Sequence, residues 1–240
     1  MSRANSQPSW AGCRLPKEAG RSVARAALLL RPRQSAATAA AALLSRWRLP
    51  RAGAMVKLAA KCLLAGDPAV GKSALAQMFR NDGAHFQKNY TLTTGIELLV
   101  KAVSVPETSD SVEFFIFDSA GKDLFSEMLE KLWEQPNVLC LVYDVTNEQS
   151  FNNCAKWLEK LRAHAVGMHI PGVLVGNKTD LVARRVVEQK QAQEWAEKHG
   201  LEYCEMSVKE MKNFEAPFHI LAKSFQQLYK EKVETFHSLA

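Results

Sequence analysis

The sequence predicts an α/β fold, a layered domain in which helices cover both faces of a mostly parallel sheet. Three observations carry that prediction. Residues 138–144 and 172–176 are unbroken runs of β-branched and aliphatic side chains, as strands buried on both faces should be. A strand-like run at 56–65 passes through a glycine-containing loop directly into a helix-like segment at 74–80, which is the start of a βαβ unit. Near the end of the chain, Phe214, Phe218, Leu221, Phe225, Leu228, Tyr229, Val233 and Phe236 recur at three- and four-residue steps, the pattern of a helix with one apolar stripe.

Taken in order, the first element is not part of that fold. The chain has 240 residues and a formal charge of +6, but residues 1–54 hold nine Arg and Lys17 against Glu18 alone, a net of +9. The part from Met55 onward is therefore net −3, and the basic balance that would suggest a nucleic-acid or membrane-surface binder belongs to one end only. Residues 1–54 read as a basic Arg/Ala-rich extension, expected to be disordered. An Arg-rich, acid-poor leader is also the composition of a mitochondrial transit peptide, and that alternative stays open. Residues 55–240 suffice for one domain with its own core. No apolar run approaches the roughly 20 residues needed to span a bilayer. Five Cys with no CxxC spacing point to a reducing compartment and away from zinc.

The strand at 56–65 ends on Gly66-Asp67-Pro68-Ala69-Val70-Gly71-Lys72-Ser73, a GxxxxGK[ST] loop in the strand–loop–helix context it requires. Glycines let backbone N–H groups turn inward around phosphate oxygens, and the helix that follows presents its positive end to the same anion. Gly66, Ala69, Val70, Gly71 and Ala74 would line this cradle, Lys72 would bridge the outer phosphates, and the Ser73 hydroxyl would ligate Mg²⁺. This loop implies a nucleoside triphosphate without naming the base or the reaction.

The strand at 172–176 leads into Asn177-Lys178-Thr179-Asp180. A carboxylate at Asp180 can accept from both the N1–H and the exocyclic amine of guanine, which adenine does not offer. Asn177 would hold neighbouring groups and the Lys178 stem would lie along the ring. After the strand-like 202–206, the backbone N–H groups of Ser207, Val208 and Lys209 could reach the guanine carbonyl. An acidic base reader followed by Ser-x-Lys, behind a phosphate loop, arises together by chance on the order of once in ten thousand chains. GTP or GDP is therefore the expected cofactor, with Mg²⁺, and a phosphate-loop kinase has little room.

At this point the chain resembles the Ras superfamily of small GTPases over nearly all of 55–240, and its Rab branch in particular. Residues 90–97 are similar to the first switch, which implies that Thr93 ligates Mg²⁺ and senses the terminal phosphate. Phe117-Asp118-Ser119-Ala120-Gly121 is similar to the start of the second switch, with Asp118 holding Mg²⁺ through water and the Gly121 N–H facing the terminal phosphate. Residues 141–146, Ser150-Phe151 and Trp157-Leu158 follow the Rab pattern. The resemblance implies a three-layer G domain with a six-stranded sheet, in which 96–105 and 112–118 form an antiparallel hairpin. Within the branch the likeness is to Rab-like members of intraflagellar transport. It implies a subunit of the intraflagellar transport B complex in the cilium or flagellum and cytoplasm, exporting signalling cargo. Intraflagellar transport protein 25 and the Bardet-Biedl cargo adaptor machinery would be partners.

Departures from the family pattern modify the expectation. Lys122 stands where the family carries the glutamine that orients the attacking water, and a lysine is a donor only, so slow intrinsic hydrolysis is expected. Pro68 and Ala69 occupy the loop positions nearest the terminal phosphate, which puts assisted hydrolysis in doubt. No cysteine lies near residue 240, so a prenyl anchor is not expected, and Val233 and Phe236 would serve a protein partner instead. Two other readings remain: a timed vesicle-traffic switch, and a scaffold subunit for which nucleotide is a structural ligand.

Overall fold

The computed structural model describes residues 55–84, 93, 95–121, 131–165 and 169–238, all within the compact unit Ala52–Ala240. Six strands form one sheet in the order β2-β3-β1-β4-β5-β6: β1 Lys57–Ala65, β2 Ile96–Ser104, β3 Ser111–Ser119, β4 Val138–Asp144, β5 Gly172–Asn177 and β6 Glu202–Glu205. All neighbours run parallel except β2 and β3, the expected hairpin, which pair antiparallel from Ile96 with Ser119 to Ser104 with Ser111. The helices are α1 Lys72–Arg80, α2 Glu148–Asn152, α3 Cys154–Ala163, α4 Gln189–Lys198 and α5 Ala216–Ser238.

The period of two along a strand explains why this sheet needs helices on both sides. Every residue of β4 and β5 is buried. In β4, Val138, Cys140 and Val142 face one core shared with α1 and α5, whereas Leu139, Leu141 and Tyr143 face a second core with Trp157, Ala192 and Ala196 from α3 and α4. Three layers follow directly. The first core is centred on Phe218 of α5, which stacks on Phe79 with ring centroids 3.8 Å apart. Phe214 precedes α5 rather than belonging to it, because Pro217 occupies the first turn, where a missing N–H costs nothing.

Helix α1 starts two residues earlier than its apolar pattern suggests. Gly71, at φ 102°, turns the chain so that Lys72 and Ser73 form the first turn. The four described cysteines are free thiols, three of them fully inside the cores. Among the described residues no helix is long and apolar enough to cross a membrane.

Candidate functional site

Several strands end at one edge of the sheet, where an open α/β fold places its ligands. Gly66 follows β1, Asp118 lies at the end of β3, Asp144 and Asn177 close β4 and β5, and Ser207 follows β6. These residues are spread along the chain from position 66 to position 207, and the parallel order brings them together.

The loop 66–73 wraps round the Lys72 ammonium, whose Nζ donates to the carbonyls of Gly66 and Asp67 at 2.8 Å each. Lys72 is only 6% exposed. Burial pushes its pKa down to about 8, against the opposing pull of the Asp118 and Asp67 carboxylates. Two glycines are sterically required. A Cβ on Gly66 would lie 2.1 Å from the Val142 carbonyl oxygen, and one on Gly71 would lie 2.3 Å from Asn177 Nδ2. Ala69, one of the two departures in the loop, sits in the left-handed region at φ 61°.

Beside the lysine, Asp118 is fully buried, and neither carboxylate oxygen has a hydrogen-bond partner among the described residues. Burial pushes its pKa up to about 6, with Glu97 adding to the rise and Ser73 and Lys72 opposing it. The nearby Ser73 hydroxyl is engaged with Thr93 Oγ1 at 2.8 Å rather than bonded to the carboxylate. A buried carboxylate without partners and two hydroxyls in contact suit a hard cation such as Mg²⁺. No group of three or more His, Cys, Asp or Glu able to hold a metal occurs among the described residues.

Gly121 is pressed against the phosphate loop, where a Cβ would lie 2.4 Å from Pro68 N and 2.6 Å from the Asp67 carbonyl carbon. Immediately before it, Ala120 N donates to Gly95 O at 2.8 Å, tying the ends of β2 and β3. Lys122 lies outside the described residues, as do residues 90–92 and 94.

A second part of the site is a cleft of about 210 Å³ between Gly71, Ala74, Lys178, Asp180 and Val208. Asn177, 2% exposed, organises it: its Nδ2 donates to Val70 O at 2.8 Å, and its Oδ1 accepts from the amides of Lys178 and Val208. Lys178 adopts φ 69°, and its Nζ pairs with Asp144 Oδ2 at 2.6 Å. Asp180 accepts from the Ser207 hydroxyl at 2.7 Å and lies 3.4 Å from Lys209 Nζ. Burial raises its pKa, but those hydrogen bonds outweigh it and leave the carboxylate below its usual range. Asp180 is thus an anion at neutral pH, facing a cleft with an apolar floor. In this structure the Ser207 amide donates to Lys212 O at 3.0 Å and the Val208 amide to Asn177 Oδ1 at 3.3 Å.

Sequence reasoning missed two supports. Asp67 accepts from Trp157 Nε1 and Asn153 Nδ2 on the α3 side, both at 2.8 Å. Behind β5 and β6 a polar chain runs from Tyr143 to Tyr203 to Glu205, and Arg185 clamps Glu205 through two 2.8 Å bonds. Apart from neighbouring Tyr203 and Glu205, the partners lie 20 to 90 residues apart, and no local spacing signals them.

A model of the Ras family matches residues 61–227. The chain is 74% identical over 186 residues to the human intraflagellar transport protein 27 homolog, covering 78% of this chain and all of that protein. It is 38% identical to intraflagellar transport protein 27 of Chlamydomonas reinhardtii, over 75% of this chain and 90% of that one. The Ras-related protein RabC of Dictyostelium discoideum is 32% identical, over 71% and 85%.

Proposed function

The chain belongs to the Ras family, and on that premise we propose that it is a Rab-like guanine-nucleotide-binding protein of intraflagellar transport. The observation that carries the nucleotide reading is Asp118, a buried carboxylate with no partner among the described residues, set beside a buried ammonium and two facing hydroxyls. Such a group is costly unless a ligand completes it. Phosphates would take over the Lys72 ammonium from the Gly66 and Asp67 carbonyls, their negative charge offsetting the desolvation that depresses its pKa. Asp180 would accept from two donors on guanine, selecting that base. Ser73, Thr93 and Asp118 would hold Mg²⁺, which when bound neutralises phosphate charge.

Hydrolysis is inferred to be slow, because Lys122 offers only donors where the family's glutamine both accepts from the attacking water and donates to the developing phosphate charge. The protein would act mainly through partners: intraflagellar transport protein 25, other subunits of the B complex and the Bardet-Biedl cargo adaptor machinery, in ciliary export of signalling cargo. What supports this is the likeness to intraflagellar transport protein 27 of several organisms. The far end of α5 supports it too, since Tyr229 and Phe236 are exposed, Phe236 by 73%. That exposure also favours a second reading, an assembly subunit for which nucleotide is structural. A Thr93→Ala variant separates the two, because a switch loses effectors selectively and a scaffold keeps its obligate partner.

The decisive experiment is purification with copurifying partners, identification of the bound nucleotide and a single-turnover assay. Retained GTP or GDP with slow turnover is expected, faster in Lys122→Gln. A purified protein holding no guanine nucleotide refutes the reading.

A further inference from the structure

We propose that Asp67, held by Asn153 and Trp157, is a positioning residue through which helix α3 sets the shape of the phosphate loop. This inference rests on the nucleotide-binding reading above and adds a third wall to the site, on an element that reads neither phosphate nor base.

The geometry is specific. The Asp67 carboxylate divides its two oxygens between two neutral donors at 2.8 Å, Oδ1 to Trp157 Nε1 and Oδ2 to Asn153 Nδ2. Asn153 caps α3 and Trp157 follows four residues later, so the two project from one face. Asn153 is itself held by Gln149 Nε2, which donates to its Oδ1 at 2.9 Å and so leaves the amide group turned toward Asp67. The same residue's backbone makes two contacts within the site: the Asp67 carbonyl accepts from Lys72 Nζ, and its carbonyl carbon and Pro68 N form the surface against which Gly121 packs. Fixing the side chain from behind fixes both.

The support is shared. Trp157 meets Trp133 edge-on, with centroids 6.2 Å apart, and Trp133 donates from Nε1 to Ser119 Oγ at 2.9 Å, two residues before Gly121. The phosphate loop and the strand end that carries Asp118 and Gly121 therefore rest on one tryptophan pair. A shift of α3 moves both.

The test uses reciprocal exchange in the full chain. Asn153→Asp sets two carboxylates against each other, and release of a fluorescent GDP analogue should speed up roughly tenfold, the loss expected for one charge-assisted bond. The double variant Asp67→Asn with Asn153→Asp restores a donor and an acceptor at each contact, and release should return to within about threefold of the parent. Trp157→Phe, which keeps the ring and removes one donor, should match the direction of the single variant. Competition by guanosine, which has no phosphate, should be unchanged in all three, whereas general loosening of the fold would weaken it equally. Single variants that release GDP at the parental rate, or a double variant no slower than Asn153→Asp, overturn the role of Asp67. A parent that binds no guanine nucleotide overturns the nucleotide reading instead.

Discussion

Replacing Asp118 by Asn should stabilise the nucleotide-free, metal-free protein while removing its ability to hold nucleotide. The carboxylate is fully buried, accepts no hydrogen bond from the described residues and has a pKa pushed from an ordinary 3.8 to about 6 by burial. That difference corresponds to about 3 kcal/mol of penalty for the charged form at pH 7. Asn is nearly isosteric and carries no charge, so the penalty disappears. Part of the gain is returned, because Asp118 is also the main counter-charge of buried Lys72, and a net of about 2 kcal/mol is a reasonable expectation. For a domain of this size that is about 6 °C in Tm. The sign has a pH signature. A raised carboxylate keeps its proton longer in the folded state, so the parent loses stability as pH rises from about 4 to about 6 and then levels off. The Asp118→Asn variant should lack that decline, and the two curves should meet near pH 4. Thermal melts in chelator across pH 4–8 read this directly, alongside the release rate of a fluorescent nucleotide with Mg²⁺ present. A variant less stable than the parent at pH 7, or a constant gap across the pH range, would refute the reasoning.

Particular contacts set the remaining outcomes. Asp180→Asn removes the charge, keeps one neutral acceptor and turns an NH₂ donor toward the other guanine donor, so GDP binding should weaken by about 100-fold, while IDP, which lacks the exocyclic amine, loses less; competition titrations measure both. Gly121→Ala drives a Cβ into backbone atoms of Asp67 and Pro68, which have no side-chain freedom to yield, so displacement of the phosphate loop should cost about 1–3 kcal/mol of nucleotide binding with a smaller change in Tm. Phe218→Ala, which empties the stack on Phe79, should cost about 3–5 kcal/mol in urea denaturation, whereas Phe236→Ala should stay within about 0.5 kcal/mol and, like deletion of residues 230–240, weaken partner binding only.

Much of this molecule is legible without coordinates, and the reason differs by element. Strands β4 and β5 announce themselves because burial on both faces leaves no polar positions to interrupt them. Lys72, Ser73 and Asp180 are legible because their chemistry requires neighbours at fixed local spacing, a turn followed by a helix or a strand followed by a loop. Helix α5 is legible as a stripe, yet its start is not: Phe214 fits the period but lies in the turn before Ala216. The roles of Ser207 and Val208 are only half legible, since their position beside the cleft follows from order but the engagement of their amides by Lys212 and Asn177 does not.

By itself the sequence determined the fold class, the GxxxxGK[ST] loop, the acid proposed to read the base and the departure at Lys122, because each is a local pattern whose physics acts within a few residues. Only the tertiary structure decided that Asp118 is left without a partner among the described residues, that Gly121 leans on Asp67 and Pro68, and that α3 grips the phosphate loop through Trp157 and Asn153. Those facts depend on which strand ends the sheet sets side by side, and that is fixed by long-range packing of two cores rather than by any run of neighbouring residues.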